Sequence, residues 1–114
     1  MSSITTHILD TSRGRPAPGV PVVLEVLTSG GEWRVIGKGD TDADGRIRDL
    51  LAPDHVVVPG LYRITFDVRV YWKALSMQAF YPIIPVVFEL RQPGEHYHVP
   101  LLLSPFGFST YRGS

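Results

Sequence analysis

Apolar and polar residues alternate most clearly in the segment from Leu61 to Val70. The apolar residues at every second position are Tyr62, Ile64, Phe66, Val68 and Val70. The polar residues between them are Arg63, Thr65, Asp67 and Arg69. Because successive side chains of a strand point to opposite faces of the sheet, this pattern predicts a β-strand with one buried face and one face toward solvent or a partner.

Short segments rich in Val, Ile, Leu and aromatic residues predict further strands. The segments are Ser3 to Leu9, Val20 to Thr28, Trp33 to Lys38, Ile83 to Arg91, Tyr97 to Leu103 and Phe108 to Arg112. The 11 glycines and 10 prolines of the chain separate them at short intervals. Many short strands with turn residues between them are typical of an all-β sandwich or barrel.

Turn chemistry predicts two hairpins, and one segment predicts a helix. Ser29 to Glu32 contains two glycines and predicts a hairpin turn between its neighbouring strands. Gln92 to Glu95 has similar chemistry, so we expect Ile83 to Arg91 and Tyr97 to Leu103 to form a second pair. Tyr71 to Gln78 lacks glycine and proline and holds several helix formers, which predicts one short helix. The expected total is seven or eight strands plus that helix.

Length and composition are those of a folded protein with a single domain, expected over residues 1–114. The chain has 114 residues, of which 44% are hydrophobic and 19% are charged. That length can bury a core without disulfide or metal staples. The chain has no cysteine, which excludes disulfides, thiolate zinc sites and cysteine nucleophiles.

Charge and hydropathy argue against nucleic-acid and membrane partners. The 11 basic and 11 acidic residues give a formal net charge of zero, so nothing attracts the chain to a phosphate backbone or an anionic membrane. No stretch approaches the roughly 18 apolar residues that span a bilayer. Met1 to His7 lacks the basic segment and apolar run of a signal peptide, so we expect a cytoplasmic location.

The segment Asp40 to Gly45 has the spacing of the first half of a calcium-binding EF-hand loop. That loop needs a bidentate glutamate at its twelfth position and a helix on each side. The twelfth position is Leu51 here, and both flanks have the character of strands. We therefore predict a tight Asp/Gly turn, which places Arg46 directly after it.

Three histidines are candidates for chemistry. His96 and His98 are two residues apart, so on a strand they share a face while Tyr97 points to the core. Together with His7 they could bind zinc and leave one coordination position open. No cysteine and no obvious glutamate ligand accompanies them, so the spacing alone favours surface or core histidines without a metal.

A metal-free hydrolytic site is a further interpretation of these residues. If Ile8 faces the core, His7 faces the other side of its sheet. A neutral histidine can take a proton from water, and an arginine such as Arg46 can stabilise developing negative charge. The chain has no Gly-x-Ser-x-Gly motif, and Gly37 and Gly39 lack the third glycine of the phosphate-binding fingerprint. Direct attack by water is therefore the more economical hypothesis.

The segment Phe106 to Ser114 is unusual for the end of a chain. It contains three aromatic residues and an arginine, whereas chain ends are usually polar and frayed. We expect this segment to dock either in the core or at a subunit interface.

Three parts of the chain resemble one protein family, the 5-hydroxyisourate hydrolases, which are transthyretin-related enzymes of urate breakdown. The parts are Thr6 to Asp10, Asp44 to Arg46, and His96 to Pro105 together with Tyr111 to Ser114. They extend from the first strand to the last residue. The terminal Tyr-Arg-Gly-Ser, at its distance from His-Tyr-His-Val-Pro, is the most specific feature.

The resemblance implies a fold, a reaction and an assembly. The fold is a transthyretin-like sandwich of two four-stranded sheets with one short helix. The reaction is the hydrolysis of 5-hydroxyisourate, the small-molecule substrate, to 2-oxo-4-hydroxy-4-carboxy-5-ureidoimidazoline, with no metal and no organic cofactor. The assembly is a homotetramer, a dimer of dimers, with active-site channels where the dimers meet.

The resemblance also implies functional residues. Matched position by position, the catalytic residues are His7, Arg46 and His98. Tyr111 and Ser114 fall on the family's terminal motif and are expected to bind substrate. The resemblance does not decide whether His7 or His98 is the general base.

Some features of the resemblance leave alternatives open. His96 matches a family position but has no clear role in the chemistry. Tyr71 and Trp72 stand where the family usually shows two smaller aromatics, at the expected lip of the channel. The alternative function is a non-catalytic carrier of a small ligand, like transthyretin, because one fold can host either function. Such carriers lack the histidine set and the Tyr-Arg-Gly-Ser end.

Overall fold

The strands form two sheets that pack face to face. The structure, a computed structural model, describes residues 3–114, so Met1 and Ser2 of the expected domain lie outside the described residues. The strands are β1 (Ile4–Asp10), β2 (Arg15–Pro16), β3 (Pro21–Leu27), β4 (Trp33–Asp40), β5 (Gly60–Asp67), β6 (Ile83–Leu90), β7 (Tyr97–Ser104) and β8 (Gly107–Thr110). One helix, α1 (Arg69–Ala74), follows β5. The sheet orders are β2-β1-β7-β8 and β4-β3-β5-β6, which confirms the predicted sandwich of two four-stranded sheets.

The core lies between the sheets and is built by period-two burial. Residues alternate between buried and half-buried along β1, β3 and most of β5. The largest fully buried side chains include Tyr62, Phe66, Ile4, Ile8, Leu24 and Ile64. Burial of a side chain of this size contributes roughly 1.5–3 kcal/mol. The alternation also leaves the outer face of β1 free for other chemistry.

The strand predicted from Leu61 to Val70 ends earlier than its pattern indicates. β5 ends at Asp67, whose carboxylate accepts hydrogen bonds from the backbone N–H and the guanidinium of Arg69. These bonds turn the chain into α1, so Val68 is buried while Val70 is 49% exposed. The predicted helix is therefore shifted, because α1 starts at Arg69 and its C-cap is Leu75.

The predicted pairing of the β6 and β7 segments is wrong. β6 pairs with β5, whereas β7 runs parallel to β1 and antiparallel to β8. The segment between β6 and β7 crosses from one sheet to the other. Its turn residues indicate a change of direction but carry no information on the next partner. The other predicted hairpin is confirmed, since β3 and β4 pair directly.

Backbone hydrogen bonds hold the final segment to β7, while its aromatic side chains stay largely exposed. β8 pairs with β7, and the backbone N–H of Gly113 donates to the carbonyl oxygen of His98 at 2.8 Å. Phe106, Phe108 and Tyr111 are 75%, 40% and 57% exposed. Docking of these aromatics in the core is therefore wrong, and docking at a subunit interface stays a prediction.

Two further features bear on the predicted function. Tyr71 and Trp72 are buried in α1, and the Tyr71 hydroxyl donates to the buried carboxylate of Asp10 at 2.6 Å. The hydrogen bond of Tyr71 therefore anchors α1 to the end of β1. Across residues 3–114, no helix combines the length and the hydropathy needed to cross a bilayer.

Candidate active site

Two neighbouring strands of the first sheet present the histidines. β1 and β7 are parallel partners, and Thr5 lies opposite His98 in their register. Ile8 is buried while His7 beside it is half-buried, which confirms the predicted orientation of β1. Tyr97 is buried beside half-buried His98, so β7 also turns its tyrosine to the core as predicted. The outer face of the sheet thus carries both imidazoles.

A tight turn fixes Arg46 beside β1. The Asp42 carboxylate accepts the backbone N–H groups of Asp44 at 2.9 Å and Arg46 at 3.0 Å, which confirms the predicted Asp/Gly turn. Gly45 has a φ of 75°, and any Cβ there would collide with the carbonyl oxygen of Ile8. The backbone of Arg46 then forms an isolated antiparallel β-bridge with the backbone of His7 in β1. The hydrogen bond from the Arg46 backbone is the largest of the effects that hold the pKa of Asp42 below its usual range.

One cavity brings together three of the five predicted site residues. Its volume is about 450 Å³, and Arg46, His98 and Ser114 line it. Other residues of its wall are Thr5, Thr6, Ile47, Arg48, Asp49 and His96. We call this space the site cavity. Its wall combines two guanidinium groups with two imidazoles, which suits a polar ligand with several oxygen atoms.

His7 lies next to the site cavity but does not line it. Its backbone forms the bridge to Arg46, and its Nε2–H donates to the carbonyl oxygen of Asp44 at 2.8 Å. Because a carbonyl can only accept, the hydrogen of neutral His7 is on Nε2 and its lone pair is on Nδ1. His7 is close enough to His98 to influence its charge state.

Tyr111 lies on the other side of His98. It lines a second recess of about 280 Å³, together with Glu89, Arg112 and His98 itself. The Arg112 guanidinium pairs with Glu95 at 2.9 Å and stacks 4.3 Å over the Tyr97 ring. His98 therefore separates two recesses, of which one holds Ser114 and the other Tyr111.

The surroundings of His98 favour its neutral form. Burial is the largest effect that lowers the pKa of His98, and the positive charge of Arg46 is the next. His96 and His7 lower this pKa further, while hydrogen bonding with Thr5 opposes the shift. A histidine with a lowered pKa is unprotonated at neutral pH and can accept a proton there.

Thr5 and Gly113 are site residues that sequence reasoning missed. The Thr5 hydroxyl is 2.8 Å from both Nδ1 of His98 and Nε2 of His96. A Cβ on Gly113 would lie 2.5 Å from Cδ2 of His98, so only glycine leaves room for the ring. Neither role has a signal in the sequence, because each depends on contact between segments far apart in the chain.

The histidines do not form a three-ligand metal cluster. Within residues 3–114, no group of three or more His, Cys, Asp or Glu side chains is arranged to hold a metal ion. Nε2 of His7 is bonded to a backbone carbonyl, and Nε2 of His96 and Nδ1 of His98 face Thr5. The zinc hypothesis therefore lacks its ligand set in this arrangement.

Comparisons with known proteins agree with the fold. The model of one protein family, HIUase/Transthyretin, matches residues 4–113. A 5-hydroxyisourate hydrolase of Salmonella dublin is 49% identical, over 97% of this chain and 80% of that protein. A protein of the same name from Halalkalibacterium halodurans is 45% identical, over 97% of each chain. Sea bream transthyretin in complex with thyroxine superposes with a TM-score of 0.91 at 34% identity, over 98% of this chain and 95% of that chain.

Proposed function

Because the chain belongs to the HIUase/Transthyretin family, we propose that it is an enzyme of urate catabolism that hydrolyses 5-hydroxyisourate. The product would be 2-oxo-4-hydroxy-4-carboxy-5-ureidoimidazoline. Relatives from two bacterial groups carry the name of this activity at 45–49% identity. The observation that carries the proposal is the site cavity, in which Arg46, His98 and Ser114 meet.

The proposed reaction needs a base, an oxyanion partner and a bound water molecule, but no metal. His98 is the base we favour, since it lines the site cavity and its lowered pKa keeps it neutral. It removes a proton from water, and the resulting hydroxide adds to a ring carbonyl carbon. Arg46 stabilises the negative oxygen that forms. The ring C–N bond then breaks, and protonated His98 returns the proton to the leaving nitrogen.

The other predicted residues have supporting roles in this mechanism. His7 is the second imidazole of the mechanism: its ring, which donates from Nε2 to the carbonyl oxygen of Asp44 and lies near His98, would position the water and the leaving nitrogen. Ser114 lines the site cavity and would bind an edge of the substrate. Tyr111 lines the recess on the other side of His98, and its binding of substrate stays a prediction. The flat substrate is thus bound between the cationic wall and the imidazoles.

Self-association to a homotetramer, a dimer of dimers, is part of the proposal. Exposed aromatic and apolar side chains collect near the edge strands β6 and β8, and unpaired edges with such side chains commonly pair with another copy. The residues are Phe80, Tyr81, Ile83, Val87, Phe106, Phe108 and Tyr111. Tyr81 and Phe108 touch with ring centroids 5.2 Å apart, so part of this surface is continuous between the sheets. A mass measured by sedimentation at the value of a single chain would contradict this assembly.

A non-catalytic carrier is the second candidate function. It is favoured by the likeness to sea bream transthyretin, which binds thyroxine in its solved complex. The wall of the site cavity argues against it, since two arginines and two histidines suit a polar ligand better than a large apolar one.

An absorbance assay with freshly generated 5-hydroxyisourate separates the two candidates. The hydrolase accelerates its decay in proportion to protein concentration. A carrier leaves the decay at the rate of buffer alone and binds thyroxine instead.

A further inference from the structure

The hydroxyl group of Thr5 lies between two imidazole rings. Its Oγ1 is 2.8 Å from Nδ1 of His98 and 2.8 Å from Nε2 of His96. The centroids of the two rings are 6.4 Å apart and the rings are tilted by 51°, so they do not stack. The hydroxyl is therefore the group that connects them.

The number of hydrogens available restricts how these three groups can bond. A threonine hydroxyl has one hydrogen to donate and two lone pairs to accept with. When it donates to one ring nitrogen, the other nitrogen must carry a hydrogen and donate to Thr5. Donation from Thr5 to His98 would leave the hydrogen of neutral His98 on Nε2. Donation from Thr5 to His96 requires Nδ1–H on His98, and Nε2 of His98 then keeps its lone pair.

Only the second pattern lets His98 act as a base through Nε2. Among residues 3–114, the hydrogen bond of the His98 ring is made by Nδ1 to Thr5, so Nε2 is the nitrogen left for water or substrate. We propose that Thr5 is a positioning residue, whose hydroxyl accepts Nδ1–H of His98 and donates to Nε2 of His96. This arrangement holds His98 in the tautomer that takes a proton at Nε2. The inference rests on the proposed function, because the proposed function makes His98 the base.

Thr5 would occupy the position that a carboxylate occupies in many hydrolytic sites. There, an acceptor on Nδ1–H orients the imidazole and fixes its tautomer. A neutral hydroxyl fixes the tautomer but adds no negative charge, so it does not raise the basicity of His98 strongly. When Nε2 takes a proton, Nδ1–H becomes part of a cation, and its hydrogen bond to Thr5 strengthens. Thr5 therefore also stabilises the protonated intermediate.

The charged groups around His98 are consistent with a neutral hydrogen-bond partner, the Thr5 hydroxyl, for its ring. Burial lowers the pKa of His98 most, and the positive charges of Arg46, His96 and His7 lower it further. Arg48 and Asp49 also line the site cavity, and Glu89 and Arg112 line the recess on the other side. Within these walls, Thr5 is the group hydrogen-bonded to the His98 ring.

The test combines two substitutions of Thr5 with a matched control. Thr5→Val keeps the shape of the side chain and removes the hydroxyl, and Thr5→Ser keeps the hydroxyl. Thr11→Val is the control, because the Thr11 hydroxyl also joins the end of β1 to β7, by donating to the carbonyl oxygen of Leu103 at 3.1 Å, away from the histidines. The first readout is ¹⁵N NMR of the imidazole nitrogens, which distinguishes Nδ1–H from Nε2–H without substrate. The second is kcat and KM for 5-hydroxyisourate.

We expect the wild type, Thr5→Ser and Thr11→Val to hold His98 as the Nδ1–H tautomer. Thr5→Val should show the Nε2–H form of His98. Its kcat should fall by about 10-fold to 10²-fold with little change in KM, because only part of the His98 population would then be able to act as the base. An Nε2–H signal from wild-type His98, or an unchanged tautomer in Thr5→Val, would overturn the inference. A wild type that shows the expected tautomer but does not hydrolyse 5-hydroxyisourate would overturn the proposed function and leave the role of Thr5 in setting the tautomer standing.

Discussion

The gap beside the His98 ring makes Gly113 the most informative position to perturb. The backbone N–H of Gly113 donates to the carbonyl oxygen of His98 at 2.8 Å, which holds the two residues together. A Cβ at position 113 would lie 2.5 Å from Cδ2 and 3.2 Å from Cγ of His98. Carbon atoms in contact are about 3.5–4.0 Å apart, so Gly113→Ala must displace the ring by about 1 Å.

A displacement of about 1 Å in a catalytic group can cost about 10²-fold in rate. We therefore expect Gly113→Ala to lower kcat by about 10²-fold, equivalent to about 2.7 kcal/mol in the activation barrier. The assay is the decay of 5-hydroxyisourate, with thermal melting by circular dichroism to show that the fold is retained. Gly94→Ala is the control, since a Cβ at Gly94 would meet no atom within 4 Å. A folded Gly113→Ala protein with wild-type kcat would refute the reasoning.

Three further predictions concern the neighbouring groups. His7→Asn should fold normally and lose about 10²-fold or more in kcat, and full turnover in this variant would remove His7 from the mechanism. Because burial and then Arg46 lower the pKa of His98, its neutral form persists to lower pH, so kcat/KM should fall only below the pH at which an ordinary histidine titrates. An acidic limb of the pH–rate profile at or above that pH would contradict this. Tyr71→Phe should lower the free energy of unfolding in urea by about 1.5–3 kcal/mol, since Tyr71 donates to a buried carboxylate. Burial alone would raise the pKa of Asp10, but the hydrogen bonds to its carboxylate outweigh burial and hold the pKa low. These hydrogen bonds therefore stabilise the fold at pH values above the usual aspartate pKa, and the stabilisation is lost as the pH falls and Asp10 takes a proton. The deficit of Tyr71→Phe should therefore shrink in acid, and a deficit independent of pH would count against the bond.

Period-two patterns predicted most strands because burial between two sheets acts on every second residue. They failed where local bonds override the period, as at Asp67, where the carboxylate turns the chain into α1. β2 was missed because two residues, Arg15–Pro16, are too short to show a period. The partner of β7 was missed because β1 lies more than 90 residues away in sequence, as the Thr5–His98 contact illustrates. Turn residues such as Gly94 do not encode such a partner.

Residue types and the family resemblance were enough to predict candidate site residues, but not the contacts between them. The catalytic roles of His7, Arg46 and His98 and the binding roles of Tyr111 and Ser114 stay predictions, as do the single domain over residues 1–114 and the cytoplasmic location. Thr5 and Gly113 could not be found from the sequence, because a threonine in a strand and a glycine near a chain end are common. Their roles arise from the packing of β1 and of the last residues against β7.

The proposed mechanism depends most on His98 acting as a base inside the site cavity. The direct measurement is the rate of 5-hydroxyisourate decay with the wild type, with His98→Asn, and with His55→Asn as a control histidine in the segment between β4 and β5. We predict that the wild type and His55→Asn accelerate the decay equally, and that His98→Asn is about 10²-fold to 10⁴-fold slower. A wild type no faster than buffer, or a His98→Asn variant as fast as the wild type, would contradict the proposed mechanism.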